Sequence, residues 1–564
     1  MKQANKDNAA NRYSWIGEIY NRGEKNKKSA MLKRLSREQR HLHKEGYIHI
    51  HDLDAFDSTY NCLTFDIVKK FPYEDFKDIS ENGKIVRLFG YIKMLFADMG
   101  NEQSGGMALA NFDNDIATIL EKMSIKDTTA NRSLIAECIG DLIVWCNNTH
   151  TRMGQTSYYV TLNIGLAKSP LAKFIAFSVI DQFEKMGETI YKPNIVFKVA
   201  SSINRFKNDR NYDLFEKAML CTAKKMIPTY LLCDCKSDKK INPEKLSVMG
   251  CRTRVVDDLY ECTGAIGRGN ICNISINLPR IALDVCQKYN QESAKQKYAR
   301  VLSVWHKIAK TSKDILLKRF YQLCEKNVDD FPINQKRQMW CVPFNNVAEV
   351  FKHGTLSIGY IGLSEMMELI TGKRYYEDKQ CYNMALSFVK EMRTFCNQMR
   401  DKYKLNFSLL ATSGEFISGR FIKIDRKKYK PSIDIFSKGF YTNSFHVNVN
   451  SGLTCRRKLQ IEGPFHELNN GGSISYIELN EIPIGNTEGI KELIEIATQS
   501  GVRYFGINFP KDICNHCGCH GIFDCCTDCG STDITRIRRV SGYLEILDGF
   551  TDGKKNEVAT RKNN

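Results

Sequence analysis

Two C-x-x-C-G knuckles stand eight residues apart near the carboxyl end, Cys514-Asn515-His516-Cys517-Gly518 and Cys526-Thr527-Asp528-Cys529-Gly530. Each can turn two thiolates towards one ion, because the two-residue gap brings both sulfurs to one side and the glycine relieves the tight turn. The pair predicts a closed, four-cysteine zinc site at Cys514, Cys517, Cys526 and Cys529. The same soft donors also suit an iron–sulfur cluster. Cys519 and Cys525 are surplus thiols, and His516 and His520 lie outside the spacing. A closed site staples a segment and performs no reaction, so any activity has to be sought elsewhere in the chain.

The remaining cysteines fit a reducing compartment. There are 21 in 564 residues, the first residues are polar without an apolar signal core, and no apolar run approaches the ~18 residues that span a bilayer. A cytoplasmic chain without a membrane segment is expected. Cys138, Cys146, Cys221, Cys286, Cys381 and Cys396 fall in helix-like apolar stretches and read as small buried hydrophobes. Cys233 and Cys235 form a closely spaced pair that reads as structural. Lys plus Arg is 82 against 64 for Asp plus Glu, a net charge of +18. That excess favours anionic partners and does not choose among nucleotides, nucleic acid and lipid.

From Tyr47 onward, short β-rich runs (YIHIHDL, YVTLNIGL, NIVFKVA, ICNISINL, INFP) alternate with helical stretches at 85–99, 294–321 and 380–403. Strands separated by helices of that length argue for a large α/β fold. Ser36 followed by Gln39 can cap a short helix in the polar, basic leader. The composition breaks near Phe509. The expected units are therefore a helical extension over 1–45, an α/β body over 46–508, the cysteine segment over 509–535 and a tail over 536–564.

Six strings in order carry a resemblance. They are GYIHIHDLDAFDSTYNCLTFD with Cys62, SVMGCR with Cys251, GRGNICNISINLPRIAL, HGTLSIGYIGLSE, YTNSFHVNV and, ten residues past the last knuckle thiol, RVSGYL with Gly542. With the knuckles, this set resembles the anaerobic, class III ribonucleotide reductases, a branch of the glycyl-radical enzymes. The resemblance implies a ten-stranded α/β barrel built from two antiparallel half-barrels, with two finger loops inside it carrying the thiyl cysteine and the glycine. It implies that Gly542 stores the radical, a role suited to glycine, whose Cα radical is delocalised by the flanking amide groups. Cys62 would be the thiyl residue and Cys251 the second, redox and hydrogen-donating cysteine. The substrates would be ribonucleoside triphosphates, reduced to 2′-deoxyribonucleoside triphosphates. Formate would supply the electrons, a reading with which Met249 agrees. A radical S-adenosylmethionine activating enzyme, deoxynucleotide specificity effectors and a homodimer are the implied partners, with no direct contact to nucleic acid.

For the sugar, Asn270 and Asn277 match family positions. A regular strand would put Asn273 and Asn277 on the face opposite Asn270. Thr442, Asn443 and Ser444 suit a phosphate cradle, since small polar side chains and free backbone N–H groups favour phosphate. His51 and His446 read as core or orienting histidines.

The chain departs from the pattern in its start, at Ser541 and in the eight-residue spacing between the knuckles, which is short for the family. The catalytic motif begins near residue 47, so no extra regulatory nucleotide-binding domain is expected. Residues 103–106 (QSGG) fall where the family has helices near its effector site. Ser541 stands where relatives often have cysteine.

Two other classes compete. A formate acetyltransferase-like enzyme would carry adjacent catalytic cysteines and no knuckles, whereas the one adjacent pair here, Cys525-Cys526, lies inside a knuckle. A zinc-ribbon nucleic-acid binder explains the charge and the cysteines but leaves the upstream motifs idle.

Overall fold

The β-rich runs become strands because their β-branched and aromatic side chains fill both faces of a sheet that helices cover. The structure, a computed structural model, describes residues 14–149, 159–430 and 434–564. The first thirteen residues of the expected extension lie outside these. The rest of the extension forms two helices, Trp15–Arg34 and Arg37–Lys44, the second closed by a reciprocal cap between Ser36 and Gln39.

The main sheet uses β1 (Ile48–Ile50), β2 (Cys62–Phe65), β3 (Met107–Leu109), β4 (Val160–Ile164), β5 (Asn194–Val199), β6 (Thr229–Leu232), β7 (Gly269–Asn277), β8 (Thr355–Ile361), β9 (Asn406–Ala411), β10 (Ser475–Glu478) and β11 (Tyr504–Asn508). Along the sheet the order is β10-β11-β6-β5-β4-β3-β2-β7-β8-β9. Strands β2 to β6 are mutually parallel, as are β7 to β9 and the pair β10–β11. The groups meet antiparallel at β2–β7 and β11–β6. This is the expected pair of opposed half-barrels. One strand exceeds the expected ten: β1 runs antiparallel to β7, Ile48 opposite Ile276, on the edge whose other end β2 occupies.

No ladder joins β9 to β10 among the described residues. Gly471 N–H instead donates to Leu409 O at 2.8 Å and Ala411 N–H to Gly472 O at 3.0 Å. Gly472 has φ +123°, and a β-carbon there would meet the carbonyl of Arg252 at 2.0 Å. Glycine is thus required where the chain squeezes between β9 and a loop that enters the barrel.

The helical stretches read from the sequence appear as Glu81–Met99, Ala294–Cys324 and Lys379–Tyr403, packed outside the sheet. Strand β8 is buried at all seven positions. Among the described residues no helix is long and apolar enough to cross a membrane.

After β11 the chain builds a second, four-stranded sheet from β12 (Lys511–Cys514), β13 (His520–Gly521), β14 (Ile534–Arg539) and β15 (Leu544–Ile546), ordered β13-β12-β14-β15. Strands β14 and β15 form a hairpin whose last ladder pair is Arg539–Leu544. Gly542 lies in its tip.

Candidate active site and thiolate cluster

The loop entering the barrel spans 246–254. Met249 and Thr253 exchange backbone hydrogen bonds of 3.0 and 3.1 Å, which folds a tight turn around Gly250 at φ +55° and presents Cys251. Asn163 of β4 braces its entry, accepting from Val248 N–H at 3.1 Å. The exit is braced by Arg252, wholly buried, which donates to Ala411 O and the Tyr476 hydroxyl. Buried polar groups with this many partners hold one conformation.

The hairpin tip approaches from the other side. Arg539 is buried and donates to Asn508 Oδ1, to the Met226 carbonyl and to Gly542 O at 3.1 Å. Tyr543 donates to Glu415 Oε2 at 2.6 Å and packs edge-to-face on Tyr159. A β-carbon on Gly542 would lie 1.9 Å from Cys251 O and 2.9 Å from Cys251 Cα. Adding one C–C bond of ~1.5 Å places the two α-carbons within about 4.5 Å.

Cys62 opens β2 and pairs with Asn270 of β7. It packs on Met249, Ala108 and Val255. The expectation that a finger loop carries Cys62 is corrected here: the loop carries Cys251, and Cys62 belongs to the barrel wall. The reason is the β2–β7 pairing, which makes CLTF a strand and not a loop. Both cysteines line one cavity with His51, Asp52, Asn273 and Glu415. Burial pushes the Cys62 thiol up to about 12 and raises that of Cys251, so both sulfurs keep their hydrogens near neutrality.

The asparagines divide differently from the regular-strand expectation. A register shift between Asn270 and Cys272 inserts an extra residue, so Asn270 and Asn273 share the inward face. Asn270 Nδ2 donates to Ser357 Oγ at 2.8 Å, and Ser357 is the register partner of Asn273. Asn273 lines the cavity, and Asn270 Oδ1 and Asn273 Oδ1 are both buried without a hydrogen-bond partner. Asn277 is committed elsewhere. It caps the helix Leu278–Lys288 and donates to Asp425, which is paired with buried Arg280 at 2.7 Å.

Thr442, Asn443 and Ser444 sit one layer beyond the cavity lining. Thr442 N–H and Oγ1 donate to Glu365, and Ser444, at φ +40°, has an unpartnered buried hydroxyl. In the orientation that satisfies its amide, Asn443 donates to Ser413 O and accepts from Lys554. A β-carbon on Gly414, which lines the cavity, would meet the Asn443 side-chain amide at 2.2 Å, so the triplet touches the cavity wall from behind. His51 shares a 2.9 Å hydrogen bond with Ser275, and His446 Nε2 donates to Ile474 O. Residues 103–106 lead into β3, where Gly106 forms part of the cavity wall. Sequence reasoning passed over Glu415. Its signal was the turn Ser413-Gly414 directly after a barrel strand, with Gly414 at φ +64°, the kind of strand end on which barrels place functional groups.

In the second sheet, the sulfurs of Cys514, Cys517, Cys526 and Cys529 all lie within 4.8 Å of one another. The pairs Cys514–Cys529 and Cys517–Cys526 are 3.5 Å apart. That donor set and spacing suit a tetrahedral zinc ion. Cys519 and Cys525 lie outside the cluster, and Cys525 Sγ points to Gly530 O.

A family model described as anaerobic ribonucleoside-triphosphate reductase matches residues 7–563. A protein of Escherichia coli (strain K12) with that same description is 30% identical over 572 residues, covering 93% of this chain and 78% of that one. The fold is similar to the anaerobic ribonucleotide reductase from Thermotoga maritima in complex with dATP and CTP, with TM-score 0.70 at 15% identity over 96% of this chain and 90% of that one. It is also similar to a glycyl radical enzyme from Archaeoglobus fulgidus, with TM-score 0.59 at 8% identity over 98% and 86% of the two chains.

Proposed function

The chain belongs to the anaerobic ribonucleoside-triphosphate reductase family, and on that premise we propose that Gly542, Cys251 and Cys62 act in that order on a ribonucleoside triphosphate bound in the central cavity. The observation that carries this order is the fit of Gly542 against the Cys251 backbone. It exchanges the roles that resemblance suggested for the two cysteines. A radical held at Gly542 takes the hydrogen of Cys251, whose thiyl then removes the 3′ hydrogen of the ribose. The 2′ hydroxyl leaves as water with one added proton, for which Asp52, Glu415 and His51 are the titratable groups at the cavity. Cys62 donates a hydrogen atom to the sugar. Formate returns a hydrogen atom to the Cys62 sulfur, passes its remaining electron, with a proton, to the 3′ carbonyl of the sugar and is released as carbon dioxide, and Cys251 then returns the 3′ hydrogen, regenerating its thiyl.

Unpartnered Asn273 Oδ1 and Asn270 Oδ1 support a sugar contact, and the unpartnered Ser444 hydroxyl beside Thr442 and Asn443 supports a phosphate site behind Gly414. Asn277 has no part in this reading, being a helix cap. The knuckle thiolates would hold zinc as a staple. The relative solved with dATP and CTP supports nucleotide substrates and effectors here as well. The radical would be installed by an S-adenosylmethionine-dependent activating enzyme, acting on a homodimer.

The test is anaerobic activation followed by electron paramagnetic resonance and product analysis. A glycyl doublet with formate-dependent conversion of CTP to dCTP is expected. A doublet with no deoxynucleotide formed from any ribonucleoside triphosphate would refute the assignment.

A further inference from the structure

Beyond the finger loop the chain runs from Arg254 to β7 through a segment organised by one buried cation. The Arg268 side chain has no exposure and donates to four carbonyls, those of His353, Val256, Gly264 and Asp257, at 2.8–3.0 Å. This clamp ties the loop with Cys262 to the residues just before β8 with His353, and the strap with Cys341 joins them through the backbone of Gly267. Cys341 N–H donates to Gly267 O at 2.8 Å. A β-carbon on Gly267, at φ +70°, would meet Cys341 N at 2.4 Å, so the strap lies directly on the loop.

The sulfurs of Cys262 and Cys341 and a ring nitrogen of His353 lie within 4.8 Å of one another. Ligand atoms around tetrahedral zinc stand about 3.3–3.8 Å apart, given Zn–S near 2.3 Å and Zn–N near 2.0 Å, so a small closure would seat an ion. The surroundings resemble a finished ligand shell. Asp258, whose side chain is fully buried, accepts from His353 Nδ1 at 2.6 Å, from Asn406 Nδ2 at 2.7 Å and from Cys262 N–H at 3.2 Å. A carboxylate on Nδ1 fixes the ring and leaves Nε2 for a metal, the usual outer partner of a ligating histidine. Both cysteines are half-buried, and Cys262 and His353 line an open cleft. An ion has a way in, and a fourth position stays open.

We propose that Cys262, Cys341 and His353 form a second metal site, a Cys₂His site for zinc or a similar borderline-soft divalent cation, with Asp258 orienting the histidine and the fourth position open to the cleft. It is separate from the knuckle cluster and does not depend on the reductase reading. The ion would brace the base of the loop that presents Cys251.

The test is metal analysis of the whole chain, purified anaerobically in the presence of zinc and a thiol reductant. Wild type should hold about two zinc ions per chain. Cys262→Ala and His353→Ala should each hold about one, as should Cys526→Ser, which removes the other site. Replacement by cobalt should add, in wild type and Cys526→Ser alike, a charge-transfer band of a two-thiolate site. Retained secondary structure by circular dichroism shows that each variant has folded. If a variant does not fold, the wild-type count and the cobalt spectrum of Cys526→Ser decide alone. A single zinc in wild type that is lost only with Cys526→Ser overturns the proposal. So does a Cys262–Cys341 disulfide found by peptide mapping of the anaerobic protein.

Discussion

The backbone of Gly542 rests against the carbonyl of Cys251 with no room for a side chain: a β-carbon there would be 1.9 Å from that oxygen. Two loops distant in sequence thus share one van der Waals surface, and a hydrogen atom passing between them needs no large rearrangement.

Gly542→Ala should fail in two separable ways. The added methyl group collides with backbone and not with a yielding side chain, which costs about 1–3 kcal/mol and lowers the melting temperature. After anaerobic activation no glycyl signal should appear, while the zinc content of the knuckles stays unchanged. A persistent organic radical in this variant would move the radical store elsewhere.

The order of the cysteines can be read from the fate of the 3′ hydrogen. Cys251→Ser and Cys62→Ser should both keep the glycyl radical and both lose deoxynucleotide formation by several orders of magnitude. With 3′-tritiated substrate, only Cys62→Ser should release tritium, since its Cys251 still abstracts the hydrogen. Release from Cys251→Ser instead would restore Cys62 as the thiyl residue.

Cys526→Ser opens the four-sulfur cluster. Strand β14 pairs with β12, the strand that ends in Cys514, and runs on into the hairpin tip. A loosened knuckle should therefore reduce the yield of glycyl radical, measured by spin counting, without altering the barrel core. An unchanged yield with the knuckle zinc absent would show that the hairpin needs no staple.

Burial and the neighbouring His49 lower the imidazole of His43 to about 2, and its Nδ1 accepts from Ile50 N–H. The folded chain holds this group neutral, whereas the unfolded chain protonates it below about pH 6.5. The stability this provides is complete above that pH and is lost as pH falls below it. His43→Gln should flatten the fall by about 1.4 kcal/mol per pH unit between pH 6 and 4, in urea unfolding at fixed pH steps. An unaltered slope would mean that the proton is taken up elsewhere.

A large α/β fold was legible because its strands are hydrophobic runs punctuated by helices, the barrel itself only through the resemblance, and the knuckles because metal spacing is local. Ser36 and Gln39 announced their cap for the same reason. Pairing between distant strands set the features that sequence order concealed. Cys62 reads as a loop cysteine until β2 docks on β7, and Asn270 reads as facing away from Asn273 until the bulge between them is seen. Asn277 matched a substrate position in a string, yet its amide is consumed by Asp425 and a helix end. Glu415 is marked in sequence only by the turn before it, and its place emerges from the cavity it lines and from Tyr543, which is 128 residues away.

The barrel's ring is fastened at Gly471 and Gly472 by two backbone hydrogen bonds where every other junction has a ladder. It behaves like a bracelet with a clasp. Gly471 O also accepts from Arg254 N–H, and Gly472 lies against the Arg252 carbonyl, so the clasp sits beside Cys251. Breathing of this wall concentrates at its weakest link, and amide exchange at Gly471 and Ala411 should outpace that of the paired strands. The stiffness of the wall beside Cys251 is thereby set by two glycines that do not line the cavity.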